Sequence, residues 1–196
     1  MAKHRIENVT KKTDIKLKKK RWLTIVAPTS FNSQELGETT CERPEQLIGR
    51  KLVINLMSLT NDPKKQNVQV EFKIVNVAND QAETQIVGYE LSGAYVKKVI
   101  RRSGGKVEDS FSVVTKDNIT FQIKPLLMTR HKIYKSTLND MRLKAREHIQ
   151  NDFKTMDAET ALQSVMMNKL QKETREDVKK IYPVSLCEIR KLERLA

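Results

Sequence analysis

The segment VQVEFKIVNVANDQAETQIVGYEL, residues 68–91, determines the class of fold that the chain adopts. Apolar and polar side chains alternate over residues 68–74, and this period of two predicts a strand with one buried face. Asn79 and Asp80 favour a turn, and residues 84–91 read as a second strand. We therefore expect an antiparallel hairpin in the middle of the chain.

Five further strands flank this hairpin in the sequence, each bounded by turn residues. Pro28, which has no amide hydrogen to donate to a ladder, ends the first of them. A turn at Lys116, Asp117 and Asn118 joins two short apolar runs into a second hairpin. The predicted strands lie at residues 21–27, 51–59, 107–113, 119–123 and 184–195.

Helical periods appear in two parts of the chain. Ser92 is a candidate N-cap for a short helix with an apolar stripe. After Pro125 the apolar residues recur every three or four positions, which predicts a long helix, and two shorter helices follow at residues 158–170 and 174–182. The predicted apolar face of the long helix comprises Tyr134, Leu138, Met141, Ala145, Ile149 and Phe153.

Together these elements predict an α+β fold. We expect a mainly antiparallel, β-barrel-like core, closed or nearly closed, with one short inserted helix, a C-terminal helical segment and a returning strand. Three segments follow from this order. We expect residues 1–21 to form a basic arm that is disordered when free, residues 22–129 to form the β-barrel core, and residues 130–196 to form a basic helical segment whose final strand packs on the core.

Positive charge is unevenly distributed along the chain. The 196 residues carry 37 Lys and Arg against 24 Asp and Glu, a net charge of +13. Residues 1–21 account for +7 and residues 130–146 for +5, so the remainder is nearly neutral. Because cations concentrated in this way suit a polyanion, we expect contacts with a nucleic-acid backbone. An anionic membrane is disfavoured, since neither zone adjoins a large apolar face.

Several kinds of chemistry lack the residues that they need. The six glycines form no phosphate-binding loop, and His4, His131 and His148 have no second ligand at metal spacing. Cys41 and Cys187 match no metal motif. We expect no enzymatic activity, cofactor, metal ion or small-molecule substrate. We also expect a reduced, cytoplasmic protein without a membrane segment.

The candidate RNA-binding residues are grouped cations and one aromatic residue. Trp22 either stacks on an unpaired base or anchors the first strand in the core, and we favour the core position. Arg101 and Arg102 either contact RNA or are solvated at a helix end. The basic stripe of the long helix either contacts phosphates or pairs with carboxylates. The complete set is Lys16, Lys18, Lys19, Lys20, Arg21, Trp22, Lys97, Lys98, Arg101, Arg102, Arg130, Lys132, Lys135, Arg142, Lys144 and Arg146.

The order of several short motifs resembles one known family. The stretch WLTIVAPTSFNSQELGET at residues 22–39 is similar to the opening signature of the archaeal and eukaryotic small-subunit ribosomal protein family e-S-one, older name S-three-A-e. KIYPVSLCEIRKLERL at residues 180–195 is similar to its closing signature. Asn118 and Ile119 depart from the glycine and aromatic residue usual in the family, and the arm matches only in its basicity. The intervening matches are Ile48, Gly49 and Arg50; Leu59, Thr60, Asn61 and Asp62; Phe72, Lys73 and Ile74; Gly88, Glu90 and Leu91; Arg101 and Arg102; and Thr115, Lys116 and Asp117.

This resemblance implies a structural protein of the small ribosomal subunit that supports subunit assembly and translation. It implies binding of small-subunit ribosomal RNA on the platform, near the messenger exit and the 3′ end of that RNA. Neighbouring platform proteins are implied partners, and messenger RNA is expected to pass nearby. The lack of long terminal extensions is more typical of the archaeal form.

Two other functions are open at this point. A free regulatory protein that binds RNA or DNA would have the same charge pattern. A nucleic-acid-processing enzyme would also be basic, although a nuclease needs clustered carboxylates for its metal ions, and the acidic residues here are scattered.

Overall fold

The computed structural model describes residues 20–78, 80–100 and 104–195. Most of the predicted basic arm, residues 1–19, therefore lies outside the described residues. Within these ranges the chain forms nine strands and five α-helices. The strands are β1 Arg21–Val26, β2 Glu35–Cys41, β3 Lys51–Asn55, β4 Val68–Ala78, β5 Gln81–Leu91, β6 Lys106–Glu108, β7 Phe111–Val114, β8 Thr120–Thr129 and β9 Val184–Arg194. The helices are α1 Leu56–Thr60, α2 Gly93–Val99, α3 Lys135–Thr155, α4 Ala158–Met166 and α5 Lys169–Lys179.

The predicted α+β class and the mainly antiparallel sheet are confirmed. One path through the sheet runs β2, β1, β5, β9, β8 and β6, while β3 and β4 extend from the other edge of β5 and β7 lies beside β8. Only the β1–β5 pairing is parallel among the described strands. The core was expected to be closed or nearly closed, but the sheet is open, because among the described residues no ladder joins β3 to β6 or β7.

Strand β5 lies at the centre of the sheet and has partners along both edges. One edge pairs with β4 over almost its whole length, which confirms the central hairpin. The other edge pairs first with β1 and then, at Gly88 and Glu90, with β9. A β-bulge places Phe72 opposite Ile86 and Glu71 opposite Gly88, so Val87 has no partner in the ladder.

The bulge has a direct effect on burial. The buried residues of β5 are at even positions through Ile86, and Tyr89 and Leu91 continue the buried face beyond the bulge. Without the extra residue, strict alternation would put these two large side chains in solvent. The bulge therefore keeps both halves of the strand on the same core.

Three groups of buried side chains stabilise the fold. The main core combines side chains from β4, β5, β7, β8 and β9 with side chains from the helices. Phe121 of β8 and Phe153 of α3 meet there edge to face, with ring centroids 6.1 Å apart. A second core lies between α3, α5 and strands β6, β8 and β9. The third lies under β1, β2 and the turn end of the central hairpin.

The strand predicted at residues 51–59 is wrong in its second half. Strand β3 ends at Asn55, and α1 begins at Leu56. The Asn55 side-chain oxygen accepts a hydrogen bond from the amide of Met57 at 3.0 Å, so this residue caps the helix instead of continuing the strand. Strand β2 was not predicted because its sequence, ELGETTC, has little alternation of apolar and polar residues.

The long helix follows the predicted apolar period except at its first residue. Met141, Ala145, Ile149 and Phe153 are buried, whereas Tyr134 is 85% exposed. The backbone of Tyr134 is extended and precedes the helix, so its side chain does not continue the apolar face. The two later helices are also divided differently, since Asn168 has a left-handed backbone, with φ of 57°, and separates α4 from α5.

Helices α3 and α5 are joined by His148. Its Nδ1 lies 3.0 Å from a carboxylate oxygen of Asp152 and its Nε2 lies 3.2 Å from one of Asp177. The contact adds a polar link to the apolar packing between the two helices.

We expect Phe153→Ala to lower the free energy of unfolding by about 3 to 5 kcal/mol, because it leaves a cavity against Phe121 in the main core. Leu143→Ala is the matched control on the same helix, since Leu143 is 49% exposed. This control should change stability by less than about 0.5 kcal/mol. Urea denaturation measures the free energy of unfolding of both variants. Equal losses of stability in Phe153→Ala and Leu143→Ala would show that the end of α3 does not pack on the sheet.

Candidate nucleic-acid interface

The predicted RNA-binding residues fall into three groups in the structure. Lys16, Lys18, Lys19, Arg101 and Arg102 lie outside the described residues. The described residues lie in three places: at the start of β1, on the exposed side of α2, and in the segment from the end of β8 into α3. Those with exposed side chains are Lys20, Arg21, Trp22, Lys97, Lys98, Arg130, Lys132, Lys135 and Lys144.

The favoured core position for Trp22 is wrong. Its side chain is 69% exposed, while Leu23 and Ile25 fill the third core. Alternation along β1 explains this result, because a strand that turns Leu23 inward must turn Trp22 outward. The indole therefore lies on the surface directly after Lys20 and Arg21, where a base has access to it.

The predicted basic stripe of α3 is divided between protein contacts and solvent. Arg146 lies against the protein: its Nε is 3.4 Å from a carboxylate oxygen of Asp109, and its guanidinium lies 4.9 Å from the ring centroid of Phe111. Of the two alternatives for the basic stripe, contact with phosphates or pairing with carboxylates, Arg146 therefore takes the second, and its guanidinium also packs on an aromatic ring. Arg142 is half-buried and donates to the side chain of Asn139 at 2.8 Å, whereas Lys135 is exposed.

Arg130 occupies a position that links two other basic elements. It lines a depression of about 300 Å³ together with Lys98 of α2. It also lines a neighbouring depression of about 270 Å³ with Lys172, Arg175 and Lys179 of α5. The start of β9 runs along both depressions, with Val184 in one and Ser185 in the other. Arg130 thus connects cations that are far apart in the sequence.

The turn that carries Arg130 is fixed by its neighbour Thr129. The Thr129 hydroxyl donates to the carbonyl of His131 at 2.6 Å and accepts from the amide of Gly105 at 2.8 Å. A side chain at Gly104 would collide with the carbonyl of Thr129, so only glycine fits there. These contacts hold the backbone of Arg130 beside α2.

The sequence reasoning did not identify the basic face of α5. Lys172, Arg175 and Lys179 are exposed, and their spacing of three and four places them on one side of the helix. The opposite side packs into the core through buried residues that include Leu170 and Val178. The helical spacing of these cations is visible in the sequence, but it was obscured because Glu173, Glu176 and Asp177 make the segment nearly neutral.

A buried carboxyl lies close to this surface. Burial raises the pKa of Glu188 on β9 from 4.5 to about 7, and the nearby Arg175 guanidinium limits the rise. Arg175 also donates to the carbonyl of Val184 at 3.3 Å. Burial raises the pKa of Tyr89, and the Glu188 carboxylate adds to the rise; the buried Tyr89 hydroxyl has no hydrogen-bond partner among the described residues.

Other polar clusters among the described residues are held by structural contacts. A cavity of about 440 Å³ is lined by Asp117, Asp157, Glu159 and Arg194, but the Asp117 carboxylate accepts from the amide of Ala158 at 2.9 Å and caps α4. Within residues 20–78, 80–100 and 104–195, no three His, Cys, Asp or Glu side chains are placed to hold a metal ion. None of the helices in these ranges is long and apolar enough to span a membrane.

Comparison with known proteins identifies one family. Residues 8–196 match the sequence model of the ribosomal S3Ae family. Three relatives, from Saccharolobus islandicus (strain L.S.2.15 / Lassen #1), Halorubrum lacusprofundi and Desulfurococcus amylolyticus, are each named small ribosomal subunit protein eS1. The first is 36% identical over 92% of this chain and 86% of its own length. The second is 34% identical over 88% and 80%, and the third is 31% identical over 92% and 84%.

We expect Glu188→Gln to stabilise the protein at pH 8 by about 1 to 3 kcal/mol, because the substitution removes a charge that burial disfavours. The folded carboxyl keeps its proton up to about pH 7, whereas the unfolded one loses it near 4.5. The wild-type protein should therefore lose stability as the pH rises from about 4.5 to 7.

Chemical denaturation of both proteins between pH 4 and pH 8 measures this difference. The stability gained by Glu188→Gln should shrink as the pH falls and disappear near pH 4. A gain that is the same at every pH would show that the carboxyl does not titrate in this range.

Proposed function

Since the chain belongs to the ribosomal S3Ae family, we propose that it binds small-subunit ribosomal RNA through its exposed cations. Its role is that of a structural protein of the small ribosomal subunit, as the sequence indicated, and it is not an enzyme. The family match over residues 8–196 carries the proposal, because it covers nearly the whole chain, including residues 8–21 of the first basic zone and all of the second.

The exposed lysines support binding to a phosphate backbone. Lys97 and Lys98 of α2, and Lys132, Lys135 and Lys144 in and before α3, form no ion pair with any residue that the structure describes. Recognition of RNA by backbone and shape requires only cations in fixed places. Rigid helices supply those places here.

The placement of the protein in the subunit comes from the family resemblance. We place it on the platform near the messenger exit, in contact with RNA near the 3′ end and with neighbouring platform proteins. From the charge distribution we also propose that residues 1–21 act as an RNA-binding arm beside a core at 22–129 and a basic helical segment at 130–196. In that proposal Lys16, Lys18 and Lys19 bind phosphates, as do Arg101 and Arg102.

Trp22 extends the proposed contact beyond charge. An exposed indole next to Lys20 and Arg21 offers a face on which an unpaired base can stack. Such a contact depends little on sequence, since every base has a π-face. It would fix the position of RNA at the point where the arm meets β1.

The proposal predicts that the protein sediments with small subunits at about one copy per subunit. Crosslinking of intact subunits should join the basic arm or α2 to RNA near the 3′ end, because those cations lie against phosphates. Density-gradient fractionation of cell extract, followed by crosslink sequencing, measures both. A protein found mainly in the soluble pool, bound to other RNA or to DNA, would instead be the free regulatory protein.

We further expect the triple variant Lys132→Gln, Lys135→Gln and Lys144→Gln to bind RNA less tightly and with a weaker salt dependence. Each lost phosphate contact removes roughly 0.7 to 0.9 from the slope of log K against log salt, so three contacts remove roughly 2 to 3. Filter binding of small-subunit RNA between 50 and 300 mM salt, about the range in which such slopes are resolved, measures the change.

The control for this experiment is Lys64→Gln, Lys73→Gln and Lys154→Gln, which removes the same charge from exposed sites elsewhere. Its slope should stay near the wild-type value. Equal slopes for both triple variants would show that the start of α3 does not contact RNA.

A further inference from the structure

We propose that the α2–α5 groove, the surface lined by Lys98, Arg130, Lys172, Arg175 and Lys179, binds a phosphodiester backbone of RNA. This inference rests on the proposed function and extends it to α5 and to the connection between α5 and α2. Neither the charge distribution along the chain nor the family match assigns a role to the basic face of α5. The groove exists only because the fold brings α2, the end of β8 and α5 together.

The groove consists of two depressions on one surface. Its two depressions, of about 300 and 270 Å³, are both lined by Arg130. Consecutive residues at the start of β9, Val184, Ser185 and Leu186, run beneath them. Cations therefore occur in succession along a surface instead of converging on one point. A chain of repeated phosphates fits this arrangement better than a single small anion.

The charge of the groove is mainly positive, although the buried Glu188 carboxyl lies near Arg175. Its lining includes five cations and one carboxylate, that of Glu176. Within the described part of the chain, Lys98, Arg130, Lys172 and Lys179 form no ion pair. Other cations of the chain are neutralised locally: Lys51 lies 3.0 Å from Glu71, and Arg146 lies 3.4 Å from Asp109. Like charges held close together without counterions raise the local potential and attract a polyanion.

The groove is also held rigid before any ligand binds. Helix α5 packs into the core through Thr174 and Val178, which are 1% exposed and fully buried. Arg175 is tied to the carbonyl of Val184, and the Thr129 hydroxyl fixes the turn beside Arg130. Cations that are already positioned lose less entropy on binding than those of a free tail.

A quadruple variant tests the groove: Lys98→Gln, Arg130→Gln, Lys172→Gln and Lys179→Gln in the full chain. Arg175 is left unchanged because its contact with Val184 supports the fold. The matched control removes the same charge elsewhere, with Arg43→Gln, Lys64→Gln, Lys73→Gln and Lys154→Gln. The probe is full-length small-subunit ribosomal RNA transcribed in vitro, and circular dichroism checks that both variants are folded.

The groove variant should lose at least about tenfold in affinity, and its salt slope should fall by roughly 3, since four phosphate contacts are removed. The control variant should keep a slope close to that of the wild type. If both variants lose the same slope, RNA responds only to total charge and the groove is not a binding surface. If the wild-type protein itself neither binds this RNA nor sediments with small subunits, the proposed function fails as well.

A second measurement keeps the cations intact. A photoreactive amino acid at Ser185, which is exposed in the groove, should crosslink to RNA in assembled small subunits, whereas the same probe at Val75 on β4 serves as the comparison. A crosslink from Ser185 to RNA supports the proposal even if the quadruple variant is unstable. A crosslink from Ser185 to a protein, or to nothing while Val75 reacts with RNA, would overturn it.

Discussion

The backbone hydrogen bonds along both edges of β5 are the constraint on which the rest of the structure depends. One edge of this strand carries β4, and the other carries β1 and then β9, so the first and last described strands meet on one element. Central strands bury their backbone polar groups, and each group must be paired. The ladder on β5 therefore sets the positions of both ends of the described chain, and the bulge at Val87 keeps the large apolar side chains on one core.

The helices use that sheet as a support and turn their polar sides outward. Helices α3 and α5 bury Met141, Ala145 and Val178 in the second core, and His148 of α3 bridges them through the carboxylate of Asp177. Burial of one face leaves the opposite face in solvent. In α5 that face carries lysines and an arginine at helical spacing, so the packing that stabilises the helix also orients its cations.

Charge in this protein has two different roles, and the distinction depends on neighbouring groups. Arg146 lies between Asp109 and Phe111 and contributes to the contact between α3 and β7. The exposed lysines of α2 and of the start of α3 have no such neighbours among the described residues. A structural protein of the ribosome needs both kinds, because a stable fold must hold unpaired cations where phosphates lie.

Local patterns in the sequence determined the features that depend on near neighbours. Alternation predicted the central hairpin, the hairpin of β7 and β8, and the last strand. A period of three or four predicted the buried face of α3 from Met141 to Phe153. Ordered short motifs indicated the family. Side-chain direction within a strand or helix repeats at a fixed interval, so these features are visible without knowledge of the fold.

Long-range contacts determined the rest. Trp22 is exposed because the side chain of Leu23 points into the core. Arg146 is held against the protein because Asp109 lies beside it. Lys98, Arg130 and the cations of α5 lie together because three separate elements pack side by side. The open edge of the sheet belongs to the same class. Each depends on which distant residues become neighbours, and that information is absent from any single segment because it arises only when the sheet and helices pack together.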